Sequence, residues 1–153
     1  MSLYELLKTL HVLGAAAWAG AVIVSQFLGF LAARSGQTDR MVAFIEDEAW
    51  LGPHYFAPIS GVMLITGIAM VVQSGWQFED TWVALGLVIF FVTVFLGMFL
   101  LGPKSERLAA AIRDRGLDDA GVQADTQKLM RLTRLDLALL VLVIAIMVIK
   151  PGA

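Results

Sequence analysis

The sequence predicts an all-α integral membrane protein, a four-helix up-and-down transmembrane bundle with helical extensions on the cytoplasmic side. Three observations predict it. Apolar residues make up 59% of the 153, against about 45–50% in soluble domains, so one interior cannot hold them all and lipid must solvate many. These residues gather in four stretches, each long enough as a helix, at about 20 residues or more, to cross about 30 Å of hydrocarbon. Finally, lysine and arginine crowd beside only two of the three intervening segments.

The spans run over about residues 4–33, 54–73, 81–101 and 132–149, within a single transmembrane domain. As helices they satisfy their own backbone polar groups, which hydrocarbon requires. The N-terminus lacks the basic region of a secretory signal, and the first apolar stretch is too long for one, so it reads as retained. Ser35-Gly36-Gln37-Thr38-Asp39 ends the first helix, with Thr38 or Asp39 as a cap for the next. Gly52-Pro53 is expected to break the chain before span two, proline being well suited to a first helical turn. Ser74-Gly75 begins the second loop, and Gly102-Pro103 is expected to end or kink span three. Helical spacing of Met41, Phe44, Ile45 and Trp50, and similar patterning in "SERLAAAIRDRG" and "VQADTQKLMRLTRLD", predicts helical extensions or interfacial helices, with a turn over 116–121.

Arg34 and Arg40 flank the first loop, and Lys104, Arg107, Arg113, Arg115, Lys128, Arg131 and Arg134 lie in or beside the third. Only Lys8 and Lys150 fall on the other side. The positive-inside rule then places loops one and three in the cytoplasm and both termini outside, in the bacterial inner membrane. Trp50, Trp76 and Trp82 fit an aromatic belt.

Chemistry is written more sparsely. The chain has no cysteine, which excludes disulfides, thiolate metal sites and cysteine nucleophiles. No phosphate loop, dinucleotide fingerprint, HExxH motif or serine elbow occurs. The basic third loop interleaves acids, so nucleic-acid binding has no support. Glu46, Asp47 and Glu48 read as a solvated face, and Asp136 as half of an interfacial ion pair with an arginine.

His11 is the candidate site, because an ionisable group within a span is costly. Gly14, Ala15 and Trp18 share roughly its face. Small neighbours leave room for a flat macrocycle, and imidazole is an axial ligand for haem iron. On this reading Gly14 gives clearance and Trp18 walls the pocket. The alternative is structural: Gly14, Ala17 and Ala21 form a small-residue stripe for helix packing, and His11 hydrogen-bonds to a neighbouring helix. His54, at the cytoplasmic start of span two, lies well over ~10 Å from His11 in depth, too far to share one iron, and reads as interfacial beside Trp50. Met63, Met70 and Met147 fall in the same half of the membrane as His11, and His/Met ligation suits haem or copper.

"LHVLGAAAWAG", with His11, Trp18 and Gly20 in an H-x6-W-x-G arrangement, and "PISGVMLITGIAMV", with Pro58 and Gly67, resemble the first two helices of a superfamily of small membrane proteins. Over nearly all four spans the chain is similar to the bacterial family called domain of unknown function 2269, predicted integral membrane protein. More distantly it resembles the CopD-type copper-resistance membrane domain and the HemJ-type membrane protoporphyrinogen oxidase. The oxidase resemblance implies a b-type haem whose first-helix histidine matches His11; the further histidine of that family, after a Pro-Arg element, has no counterpart between Gln26 and Arg34. The copper resemblance implies periplasmic metal handling. The resulting expectation is a membrane protein binding haem b through His11 for electron transfer or porphyrin chemistry, with a homodimer mate or a membrane redox partner. Copper handling through His11, Met63 and Met70, or a cofactor-free scaffold, is the alternative.

Overall fold

The computed structural model describes residues 2–152. The described residues form six α-helices, and two short π-helical turns join some of them end to end: α1 (Leu3–Ser35), α2 (Thr38–Leu51), α3 (Ala57–Ser74), α4 (Thr81–Phe95), α5 (Gly102–Arg115) and α6 (Ala120–Ile149). The π turns are Gly52–Phe56, between α2 and α3, and Leu96–Leu101, between α4 and α5. Four continuous rods result, Leu3–Ser35, Thr38–Ser74, Thr81–Arg115 and Ala120–Ile149, each long and apolar enough to cross a membrane. In the most apolar window of the last, only 6% of residues are buried within the chain, so lipid is the natural solvent for that surface.

The ends are capped as the chemistry dictates. Ser2 and Glu5 form a reciprocal capping box at the start of α1. Gly36 ends α1 in the left-handed region (φ 64°). Asp119 accepts from the Val122 backbone N–H at 2.9 Å and starts α6. The cap of α2 is Gln37, without a side-chain bond, rather than Thr38 or Asp39, both of which lie inside the helix.

Gly52-Pro53 does not break the chain. Pro53 and Pro58 each lack a backbone donor, and the turn between them widens so that the Ala57 N–H reaches the Gly52 carbonyl, five residues back. The Gly102 N–H reaches the Gly97 carbonyl in the same way, just before Pro103. A π turn moves the preceding carbonyls away from the pyrrolidine ring and keeps the rod continuous.

The helices pack in two layers. At one end, the polar end, α2 lies along α5, with the close of α1 and the start of α6 beside them. Ala32, Met41, Val42, Ile45, Leu108, Ala109, Ile112 and Val122 form the best-sealed core of the molecule there. Arg113 clamps Glu46 with both guanidinium nitrogens, at 2.6 and 2.8 Å. Beyond the π turns the pairing changes: α1 packs on α3, α4 on α6, and α1 on α6, while α3 and α4 barely approach. The Trp18 indole fills the space between them, tilted against Phe56 (6.2 Å) and edge-on to Phe90 (5.9 Å). At the far end Trp76 and Trp82 meet at right angles, with the Lys150 ammonium about 5 Å above both rings.

Two charged residues depart from expectation. Glu48 is half-buried and accepts from the Ser25 hydroxyl at 2.6 Å, so only Glu46 and Asp47 of that run are exposed. Asp136 makes no ion pair among the described residues; one of its carboxyl oxygens is buried without a partner. Arg131 and Arg134 are exposed side chains near the polar end of α6.

This division of labour predicts where stability resides. Ile112→Ala, at a fully buried position, should destabilise by about 2–5 kcal/mol. Ile149→Ala, at a position 73% exposed on the surface of the chain, should change stability by no more than about 0.5 kcal/mol. Reversible unfolding in mixed detergent micelles, followed by circular dichroism, measures both.

Candidate functional site

His11 occupies a polar layer between two apolar clusters. Toward the polar end lies the group built on Trp18, Val22 and Leu140, to which Met63 belongs. Toward the far end lies the group built on Val71, Trp82 and Val83. Thr66 and Gly67 of α3 fall between them and face His11.

Two contacts hold the imidazole. Its Nδ1 lies 3.0 Å from the Met63 carbonyl oxygen and 3.1 Å from the Thr66 hydroxyl. The Thr66 hydroxyl also lies 2.7 Å from the Val62 carbonyl, to which it donates. A carbonyl only accepts, and a hydroxyl that spends its proton on Val62 also accepts. Nδ1 must therefore carry the proton and donate. The Nε2 atom makes no hydrogen bond among the described residues. It is not sealed either: only Trp82 Nε1 and Asp136 Oδ1 are buried side-chain polar atoms lacking a partner there.

Gly67 makes this pose possible. A Cβ at Gly67 would stand 3.1 Å from His11 Cε1 and 3.6 Å from Nδ1, closer than the ring tolerates without moving. Residue 67 is a slot for the imidazole edge.

The expected site residues do not all gather. Gly14 lies one turn from His11, but the room beside it is taken by Met63, whose Cγ would be 2.9 Å from an added Cβ. No clearance for a flat ring remains over Gly14. Trp18 is buried in the aromatic cluster on the far side of Met63 and builds no wall around His11. Met63 thus supplies the carbonyl that orients His11, and its side chain fills the space over Gly14. Met70, half-buried, follows Gly67 by one turn of α3. His54 is remote, about 18 Å along the helix from Thr66; it stacks on Trp50 (4.4 Å, 6°) and donates from Nδ1 to the Trp50 carbonyl at 2.8 Å. Among the described residues no three His, Asp or Glu side chains cluster as a metal site.

The arrangement is that of a single oriented imidazole with a free Nε2, set inside a small multi-pass helical membrane protein. Such an imidazole can accept a proton, accept a hydrogen bond or ligate a metal. The chain belongs to the family described as "Predicted integral membrane protein (DUF2269)", which matches residues 5–151. No curated protein and no solved structure matches it.

The geometry separates the two faces of the imidazole. In His11→Asn the amide nitrogen can replace Nδ1–H toward Met63 and Thr66, while Nε2 is lost. In His11→Leu both are lost and the Thr66 hydroxyl is left against an apolar group. The expected result is near wild-type stability for His11→Asn and a loss of about 1–3 kcal/mol for His11→Leu, measured by unfolding in micelles.

Proposed function

We propose that this protein is a bacterial inner-membrane protein that binds b-type haem through His11 Nε2 and takes part in electron transfer or porphyrin chemistry. The observation that carries the reading is the hydrogen bond from His11 Nδ1 to the Met63 carbonyl. Ligating histidines characteristically donate their second ring nitrogen to a carbonyl or carboxylate, which fixes the tautomer and points the other nitrogen at the metal. The sequence resemblance to haem-binding membrane proteins at "LHVLGAAAWAG" supports the same assignment. Bound haem supplies a one-electron couple whose potential the axial ligand tunes.

The fit has one boundary. His11 suits the role of axial ligand, but Gly14 is filled by Met63 and Trp18 is committed to the core. His11 would hold the group through Nε2, and the space over Gly14 would not receive it. His54 is too distant to hold the same group, so any further ligand would come from a partner, either another copy of the chain or a membrane redox protein. The lysine and arginine asymmetry supports an orientation with α2 and α5 in the cytoplasm and both termini outside.

Copper is the second reading. It is favoured by Met63, whose side chain lies over Gly14 one turn from His11, and by Met70 on the same helix, since soft thioethers and imidazole suit Cu(I).

The test is an absorption spectrum of protein purified after expression with haem available, oxidised and then reduced with dithionite. The wild type should show a Soret band and reduced α/β bands, and folded His11→Asn should lose them. A colourless wild type, or a variant that keeps the spectrum, overturns the haem assignment. Cu(I) binding that disappears in His11→Asn and in Met63→Leu/Met70→Leu would then establish copper.

A further inference from the structure

A second site lies on α6, away from His11. Near the polar end of that helix, Gln127, Met130, Arg131 and Arg134 line a shallow hollow of about 240 Å³. The last three stand three, four and seven residues beyond Gln127, so all four share one face of the helix. The same face continues as Leu135, Ala138, Val141 and Leu142, every one of them exposed. Val122 and Leu140, the buried residues of α6, lie on the opposite face, and Asp136 stands one turn from Leu140 on that inward side. The depth of the hollow follows from helix length. Arg131 and Lys150 are 19 residues apart along α6 and its cap, about 28 Å of axis, which matches the ~30 Å thickness of the hydrocarbon. The two cations therefore mark its two boundaries. Arg134 starts one turn deeper, but side chains on a helix lean toward its N-terminus, here the polar end, and the long arginine stem carries its charge out to headgroup level.

The charges at this level select a ligand. Neither Arg131 nor Arg134 has an ion-pair partner among the described residues. Asp125, the acid nearest along the exposed side of α6, is paired with Lys128 at 3.2 Å, and Asp136 falls on the inward side. The hollow therefore carries two positive charges with no carboxylate to balance them. Two guanidinium forks one turn apart present parallel N–H donors that match the oxygens of a single phosphate. The Gln127 amide, also without a hydrogen-bond partner among the described residues, adds a donor and an acceptor suited to hydroxyl groups. An ammonium brought here would meet like charge and find no acid.

We propose that this hollow binds the headgroup of an anionic glycerophospholipid, one whose phosphate carries no ammonium-bearing substituent. The phosphate lies between Arg131 and Arg134, the headgroup hydroxyls reach Gln127, and an acyl chain follows the exposed apolar face over Leu135, Ala138 and Leu142. Headgroup contacts and chain contacts thus fall on one helix face in the order that a lipid presents them.

The experiment is native mass spectrometry of the intact protein released from bilayers holding equal amounts of phosphatidylglycerol and phosphatidylethanolamine. An arginine at an anionic surface is worth about fivefold in affinity, so the wild type should retain phosphatidylglycerol over phosphatidylethanolamine by at least about fivefold. The double variant Arg131→Gln/Arg134→Gln should bring the ratio to parity. Arg107→Gln removes one positive charge from an exposed position of α5 outside the hollow and should leave the ratio unchanged. Circular dichroism confirms that each variant is folded, as expected for changes at exposed side chains. Equal or greater retention of phosphatidylethanolamine by the wild type, or an undiminished preference in the folded double variant, overturns the proposal. A comparable loss in Arg107→Gln also overturns it, since the preference would then belong to the basic surface as a whole.

Discussion

Backbone hydrogen bonding in hydrocarbon governs this molecule. An amide left unpaired in lipid costs several kcal/mol, so a proline near a span cannot simply end the helix there. At Gly52-Pro53 and Gly102-Pro103 the chain instead widens by one residue per turn and continues. Everything downstream depends on that continuity. Because α2 runs into α3, and α4 into α5, without a break in helical hydrogen bonding, the polar end is a continuation of the spans. The π turns also redirect the rods, so that α2 and α5 pack together while α3 and α4 stand apart.

The separation of α3 from α4 gives Trp18 its place and gives α1 its close neighbour. With α3 drawn to α1, the Met63 carbonyl, the Thr66 hydroxyl and the bare backbone of Gly67 meet the His11 ring. The site is therefore a product of helix packing and not of a preformed cavity. Its polar atoms are few, and the apolar clusters on either side hold them in register.

Much of this was legible in the sequence. Apolar content, span lengths and the lysine and arginine bias predicted four membrane-crossing helices, and the periodicity of Met41, Ile45 and Trp50 predicted the polar-end helix. His11 stood out because a span rarely carries an imidazole. What could not be read was the identity of its neighbours. Gly14 is nearest in sequence spacing, yet Gly67, 56 residues away, makes the room, and Gly14 is filled by Met63. The pairing of "HVLG" with "PISGVMLITG" held the signal, since both stretches entered the family resemblance, but only interhelical contact shows which glycine serves which ring. Gly-Pro misled for a physical reason: in water the dipeptide ends helices, whereas in or beside lipid the lost hydrogen bond is recovered by a wider turn. Asp136 misled because sequence proximity to Arg131 and Arg134 does not bring those exposed side chains to a carboxyl group turned inward.

The central claim is that His11 is held as the Nδ1–H tautomer with Nε2 available. Nitrogen-15 NMR of histidine-labelled protein in micelles, with His54→Gln to leave one signal, tests it most directly. The account predicts a protonated Nδ1 hydrogen-bonded across to α3 and an unprotonated Nε2 at neutral pH. A proton on Nε2, with Nδ1 bare, would contradict both the orientation of the imidazole and the ligand role built on it.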